Sequence, residues 1–95
     1  IDGVVELAEQ DMAPGGTEAN LAFIESTGAV MWDGDFTETE KLILADAQTS
    51  GGLLLSVPAS RADEMMMQLR AAGVSWAVEI GEIIADADCR VRVAR

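Results

Sequence analysis

The sequence predicts one α/β (α+β) domain in which a mixed sheet packs with helices. Apolar residues at helical spacing recur between loops rich in glycine and hydroxyl side chains, and apolar runs too short for helices lie among them. The clearest short run is residues 53–57, which follows Gly51-Gly52 and is closed by Pro58. We expect a buried strand there, then a helix, then a second strand over residues 76–84. If these strands are parallel neighbours, their crossover should be right-handed.

The chain begins with a pattern typical of an amphipathic helix that ends near Asp11. Pro14 stops this helix, and Gly15-Gly16 is expected to form a flexible corner. Thr17 is placed to cap a short helix, and Gly28 suits the end of that helix. The first residue already lies inside a helical pattern and is not a methionine, so we expect the chain to be part of a longer protein.

A weak strand is predicted over residues 29–32, followed by a turn at Asp33-Gly34-Asp35. The carboxylates of this turn begin like a calcium-binding loop, but the glycine required at the sixth position is Glu38. The better prediction is a capping box, with Thr37 at the N-cap and Glu40 three residues later. The helix that follows leads into the loop before Gly51.

After Pro58, Ser60 with Asp63 is expected to cap a helix that stops at Gly73. The predicted apolar face of this helix comprises Ala62, Met65, Met66, Leu69 and Ala72. Residues 90–94 alternate like an edge strand, expected to form a hairpin with residues 76–84. Cys89 begins that strand and is expected to be structural, because no histidine or second cysteine accompanies it.

Charge and composition exclude several classes of function. Seventeen acidic and six basic residues among 95 give a net charge of −11, which repels nucleic acids and anionic membrane surfaces. The absence of histidine removes histidine-based catalysis and most zinc sites. A single cysteine forms no intrachain disulfide and fits a reducing compartment, so the expected location is the cytoplasm.

Two segments each place paired glycines beside hydroxyl side chains: Gly15-Gly16-Thr17 and Thr49-Ser50-Gly51-Gly52. Glycines permit positive φ, and such a corner can direct successive N–H groups at an anion. The alternative is an ordinary connector, in which a glycine caps the preceding helix and the hydroxyls bond loop backbone. Local pattern leaves both interpretations open.

Together the two segments resemble the C-terminal part of the selenophosphate synthetase (selenide, water dikinase) family. The resemblance rests on Pro14-Gly15-Gly16-Thr17-x-x-Asn20, a helix, and then Asp46-x-Gln48-Thr49-Ser50-Gly51-Gly52-Leu53-Leu54, in this order and at this separation. It covers essentially the whole chain. One departure is Ala47, where the family usually has proline, and proline would restrict the conformation of Asp46.

The resemblance implies a partial domain over residues 1–95 of an enzyme in the aminoimidazole ribonucleotide synthetase-like superfamily. Such enzymes usually form homodimers, and a separate N-terminal domain binds ATP and Mg²⁺. The family converts ATP, selenide and water to selenophosphate, orthophosphate and AMP. Its catalytic cysteine or selenocysteine, lysine and metal-binding aspartates precede this segment, and neither Cys89 nor Lys41 matches them.

The residues that match the family motifs are the candidates for a substrate or cleft loop. They are Gly15, Gly16, Thr17, Asn20, Asp46, Gln48, Thr49, Ser50, Gly51 and Gly52. We expect the two glycine corners to approach each other at one end of the sheet and to form the C-terminal wall of an active-site cleft. No catalytic residue, metal site or bound cofactor is expected in this chain alone. The alternatives are another ATP-dependent synthetase of the superfamily and a non-catalytic acidic dimerisation module.

Overall fold

The computed structural model describes residues 2–95 and divides them into two units, residues 2–51 with 86–95, and residues 52–85. The first unit contains helices α1 (Val4–Glu9), α2 (Gly15–Thr27) and α3 (Glu38–Leu44), with strands β1 (Val30–Asp33) and β2 (Val91–Ala94). The second contains a 3-10 turn, Ala59–Arg61, and helix α4 (Ala62–Ala71). Helices with a small sheet confirm the α/β class.

The sheet consists of β1 and β2, which run parallel. Val30 lies opposite Val91 and Trp32 opposite Val93, and the Val91 N–H donates to the carbonyl of Ala29 at 2.8 Å. The weak strand and the edge strand are therefore confirmed. The hairpin predicted for residues 76–94 is wrong, because β2 pairs with a strand from the first half of the chain. Cys89 lies in the turn before β2, is exposed and has a φ of 53°.

Helix α1 ends at Glu9, near the predicted Asp11, but Pro14 does not stop it; α2 ends as predicted and begins differently. Asp11, with a φ of 57°, follows α1, and Gly28, with a φ of 64°, ends α2. The expectation that Thr17 caps α2 is wrong: Pro14 is the N-cap, and Gly15-Gly16 forms the first helical residues and not a flexible corner. Thr17 is thus the third residue of the helix, where its side chain is directed to a partner outside α2.

Helix α3 begins with the predicted capping box. The Glu40 N–H donates to the hydroxyl of Thr37 at 3.2 Å, and the Thr37 N–H donates to the Glu40 carboxylate at 2.8 Å. These bonds satisfy two backbone donors that the start of a helix otherwise leaves unpaired.

Helix α4 presents the predicted apolar face but not the predicted cap. Ala62, Met65, Met66 and Leu69 are half-buried, whereas Ala72 is exposed. Ser60 does not cap α4, because Pro58 starts the 3-10 turn and moves the beginning of the α-helix to Ala62. Gly73, with a φ of 86°, ends the helix as predicted, and the Val74 N–H donates to the carbonyl of Leu69 at 2.9 Å.

Residues 53–57 and 76–84 are not strands, and the predicted strand-helix-strand unit is wrong. Neither segment pairs with another segment of residues 52–85, and a strand requires a neighbour to satisfy its backbone. The side chain of Leu53 is 88% exposed and that of Trp76 is 91% exposed. Across residues 2–95 no hydrophobic side chain is fully buried, and the buried residue is Thr17, which is 1% exposed.

Candidate functional site

The two glycine motifs meet where α2 begins and α3 ends. The hydroxyl of Thr17 donates a hydrogen bond to Oδ1 of Asp46 at 2.7 Å, across 29 residues of sequence. The same hydroxyl oxygen accepts a 3.4 Å bond from the N–H of Ala47. The contact lies within the unit formed by residues 2–51 and 86–95, and it joins the motifs on which the family resemblance rests.

Asn20 makes a second attachment one turn further along α2. Its Nδ2 donates to the carbonyl of Ala45 at 3.2 Å. Residues three apart lie on the same face of a helix, so Thr17 and Asn20 reach adjacent points of the loop. Ala45 is the C-cap of α3, and its carbonyl is one of the groups that a helix end leaves without an intrahelical partner.

The paired glycines of the two motifs do not adopt positive φ. Positive φ among the glycines of residues 2–95 occurs at Gly3, Gly28, Gly34 and Gly73, and not at Gly15, Gly16, Gly51 or Gly52. A Cβ at Gly16 would lie 3.5 Å from the Cβ of Ala47, an ordinary van der Waals distance, so this position also accommodates alanine.

The loop from Gln48 to Gly51 is exposed beyond this attachment. The Gln48 N–H donates to the carbonyl of Asp46 at 3.1 Å, and a Cβ at Gly51 would lie 3.5 Å from Oε1 of Gln48. Within the part of the chain that the structure describes, the side chains of Gln48, Thr49 and Ser50 form no hydrogen bond. Gly52 belongs to the other unit, residues 52–85.

The basic side chain of α3 is already paired with carboxylates. Nζ of Lys41, in α3, lies 2.6 Å from Oε1 of Glu38 and 3.7 Å from Oε1 of Glu25. The hydrogen bond that Lys41 donates to Glu38 raises the pKa of Lys41. In residues 2–95 no three acidic or cysteine side chains cluster as metal ligands, and no helix is long and apolar enough to cross a membrane.

Sequence reasoning missed the roles of Ala45 and Ala47. Their backbone carbonyl and N–H are the groups held by Asn20 and Thr17. An alanine carries no side-chain signal for such a role. The residue that could have indicated the contact is Thr17. The sequence pattern places Thr17 at the N-cap of α2, three residues after the observed N-cap, Pro14, and so assigns its hydroxyl to capping.

Comparison with known proteins gives a consistent group of relatives. A selenide, water dikinase of Myxococcus xanthus is 46% identical over 80 residues, which make up 84% of this chain and 22% of that protein. The selenide, water dikinase of Carboxydothermus hydrogenoformans is 42% identical over 83 residues, and that of Aliarcobacter butzleri is 34% identical over 79. The chain spans about a fifth of the length of these relatives. No family model and no solved structure matches it.

Proposed function

The chain carries a segment of the selenide, water dikinase family, and we propose that it is part of the C-terminal domain of such an enzyme. In this proposal residues 1–95 form a partial domain, and the complete protein is a cytoplasmic homodimer. The complete protein converts ATP, selenide and water to selenophosphate, orthophosphate and AMP. The isolated segment is inactive.

The observation that carries the proposal is the hydrogen bond between Thr17 and Asp46. It brings together the two motifs that resemble the family, although they lie 29 residues apart. The exposed loop after Asp46 then forms one wall of the active-site cleft. Its hydroxyl groups at Thr49 and Ser50 and its backbone N–H groups are donors of the kind that bind an anionic reactant.

ATP and Mg²⁺ belong to the part of the enzyme outside this chain. Among residues 2–95 no three acidic or cysteine side chains cluster as metal ligands, and Lys41 of α3 is paired with Glu38 and Glu25. The role of this chain is therefore to position a reactant and to close the cleft. The reactive groups and most of the positive charge that phosphate requires come from the N-terminal domain.

The test is the dependence of the nucleotide product on selenide. The full-length protein, incubated anaerobically with ATP and Mg²⁺, is expected to release AMP when selenide is added. AMP release that does not respond to selenide contradicts the proposed function. Release of ADP alone favours another synthetase of the same superfamily, and no nucleotide turnover favours a non-catalytic module.

A further inference from the structure

The hydroxyl of Thr17 is fully engaged inside the protein. A hydroxyl has one hydrogen to donate, and that hydrogen is bonded to Oδ1 of Asp46 at 2.7 Å. Its oxygen accepts from the Ala47 N–H at 3.4 Å, and Thr17 is 1% exposed. No reactant reaches this side chain in the conformation described here.

Three consecutive residues at the base of the loop are attached to one face of α2. Asn20 holds the carbonyl of Ala45 at 3.2 Å, and Thr17 holds the carboxylate of Asp46 and the N–H of Ala47. These bonds fix both the position and the direction in which the chain leaves α3. The loop that follows has no comparable side-chain attachment within residues 2–95.

The Asp46 carboxylate lies near the start of α2, which bears on where an anionic reactant could bind. Its partner, Thr17, is in the first turn of α2, which is the positive end of that helix dipole. The dipole of α2 favours a carboxylate in this position. Under the proposed function, the donors left for an anionic reactant are further along the loop, at Thr49, Ser50 and the Gly51 N–H.

We propose that Thr17 is a positioning residue: it contacts no reactant and acts through Asp46 and Ala47 to set the conformation of the loop over residues 48–51. Asn20 supports the same attachment through Ala45. The expected effect of Thr17 on turnover rests on the proposed function. The attachment itself is a property of the chain and is tested separately.

The first experiment measures hydrogen exchange, in the full-length protein, of the backbone amides of residues 45–48, each of which donates a hydrogen bond. Thr17→Val keeps the branched shape and removes the hydroxyl, so exchange there should rise by about tenfold or more, the effect of losing a bond to a charged group. Thr17→Ser keeps the hydroxyl and should exchange like the wild type. If Thr17→Val does not fold, Asn20→Ala, at an exposed position, tests the same attachment through faster exchange at residues 45–47. Unchanged exchange in a folded variant overturns the proposal.

The second experiment compares turnover of the same variants. Thr17→Val should lower kcat for AMP formation by about tenfold with little change in KM for ATP, and Thr17→Ser should retain the wild-type kcat. If Thr17 acts through Asp46, Thr17→Val should lower kcat little further in a protein that already carries Asp46→Ala. Faster exchange with unchanged kcat overturns the positioning role. If the wild type forms no AMP, the proposed function fails while the exchange result still decides whether Thr17 anchors the loop.

Discussion

Nη2 of Arg95 lies 2.6 Å from Oε1 and 2.7 Å from Oε2 of Glu40, a residue 55 positions earlier in the chain. The same nitrogen donates to the carbonyl of Asp35 at 3.0 Å, and the guanidinium lies 5.0 Å from the centre of the Phe36 ring. Glu40 is also the acidic member of the α3 capping box. One carboxylate thus ties the residue after β2 to the start of α3.

The first prediction concerns the pH dependence of this contact. The N–H of Thr37 and then the Arg95 guanidinium lower the pKa of Glu40 from its ordinary value of 4.5. A lowered folded-state pKa means that the ionised group contributes stability above pH 4.5, and that this contribution is lost as the pH falls through the folded-state pKa. Glu40→Gln should therefore destabilise the chain at about pH 6 and have a smaller effect at about pH 3, measured by urea unfolding.

Glu82→Gln is the control for this change, because Glu82 forms no ion pair or hydrogen bond within residues 2–95, so this substitution should leave the free energy of unfolding at about pH 6 close to that of the wild type. A Glu40→Gln effect that stays constant from about pH 6 to about pH 3 would contradict the assignment of Arg95 as its partner.

The second prediction tests the capping box itself. Thr37→Ala removes the hydroxyl that accepts the Glu40 N–H and should lower the free energy of unfolding by about 1 kcal/mol. Thr37→Ser retains the acceptor and should remain close to the wild type. Circular dichroism during urea unfolding compares the three proteins, and equal losses for alanine and serine would show that the hydroxyl is not the relevant group.

The third prediction separates a glycine that requires positive φ from one that does not. Gly73 ends α4 with a φ of 86°, so Gly73→Ala should destabilise the chain by about 1 kcal/mol. At Gly81 the φ is not positive and a Cβ meets nothing within 4 Å. Gly81→Ala should therefore be neutral or stabilise by a few tenths of a kcal/mol, roughly the gain from a less flexible unfolded chain. The reverse order of the two unfolding midpoints would refute this interpretation.

The fourth prediction follows from exposed apolar side chains in residues 52–85. Leu53, Leu54, Trp76, Ile80 and Ile83 are each at least three-quarters exposed. Contiguous exposed apolar surface favours association, so the 95-residue chain should self-associate in light scattering. Its net charge of −11 opposes association, and added salt should therefore increase it.

Leu54→Asp should reduce this self-association, whereas Ser56→Asp adds the same charge nearby without removing an apolar side chain and should reduce it less. A purely monomeric chain at high concentration and high salt would contradict the prediction.

The fifth prediction concerns Gly51 in the loop. Because its φ is not positive and a Cβ would meet only the Gln48 side chain, Gly51→Val should leave stability within about 0.5 kcal/mol of the wild type. In the full-length enzyme it should nevertheless lower AMP formation by about tenfold or more, since the branched side chain blocks backbone approach to a reactant. Gly81→Val is the control and should retain activity. Unchanged turnover with unchanged stability at Gly51 would remove the loop from the proposed cleft.

Local sequence signals predicted the structure correctly where it depends on residues that are close together along the chain. The capping box at Thr37, the helix ends at Gly28 and Gly73, and both observed strands follow from such signals. The strands predicted at residues 53–57 and 76–84 are wrong, because a short apolar segment forms a strand only when a neighbouring strand pairs with its backbone. No partner for these segments occurs in residues 52–85.

The candidate site was predictable in part. The two Gly-Gly-hydroxyl sequences suggested that the segments approach each other, and the Thr17–Asp46 hydrogen bond joins the start of α2 to the base of the loop. The contact is made differently from the prediction: Thr17, predicted to cap a helix, instead bonds to Asp46, and Gly15-Gly16, predicted to be a flexible corner, lies inside α2. The backbone groups of Ala45 and Ala47 carry no side-chain signal, so no reading of residue types identifies them.

The most direct test of the proposed enzyme is phosphorus NMR of the full-length protein with ATP, Mg²⁺ and selenide under anaerobic, reducing conditions. The proposal predicts AMP, orthophosphate and a phosphorus signal coupled to selenium. ADP as the only nucleotide product, with no selenium-coupled signal, would contradict it.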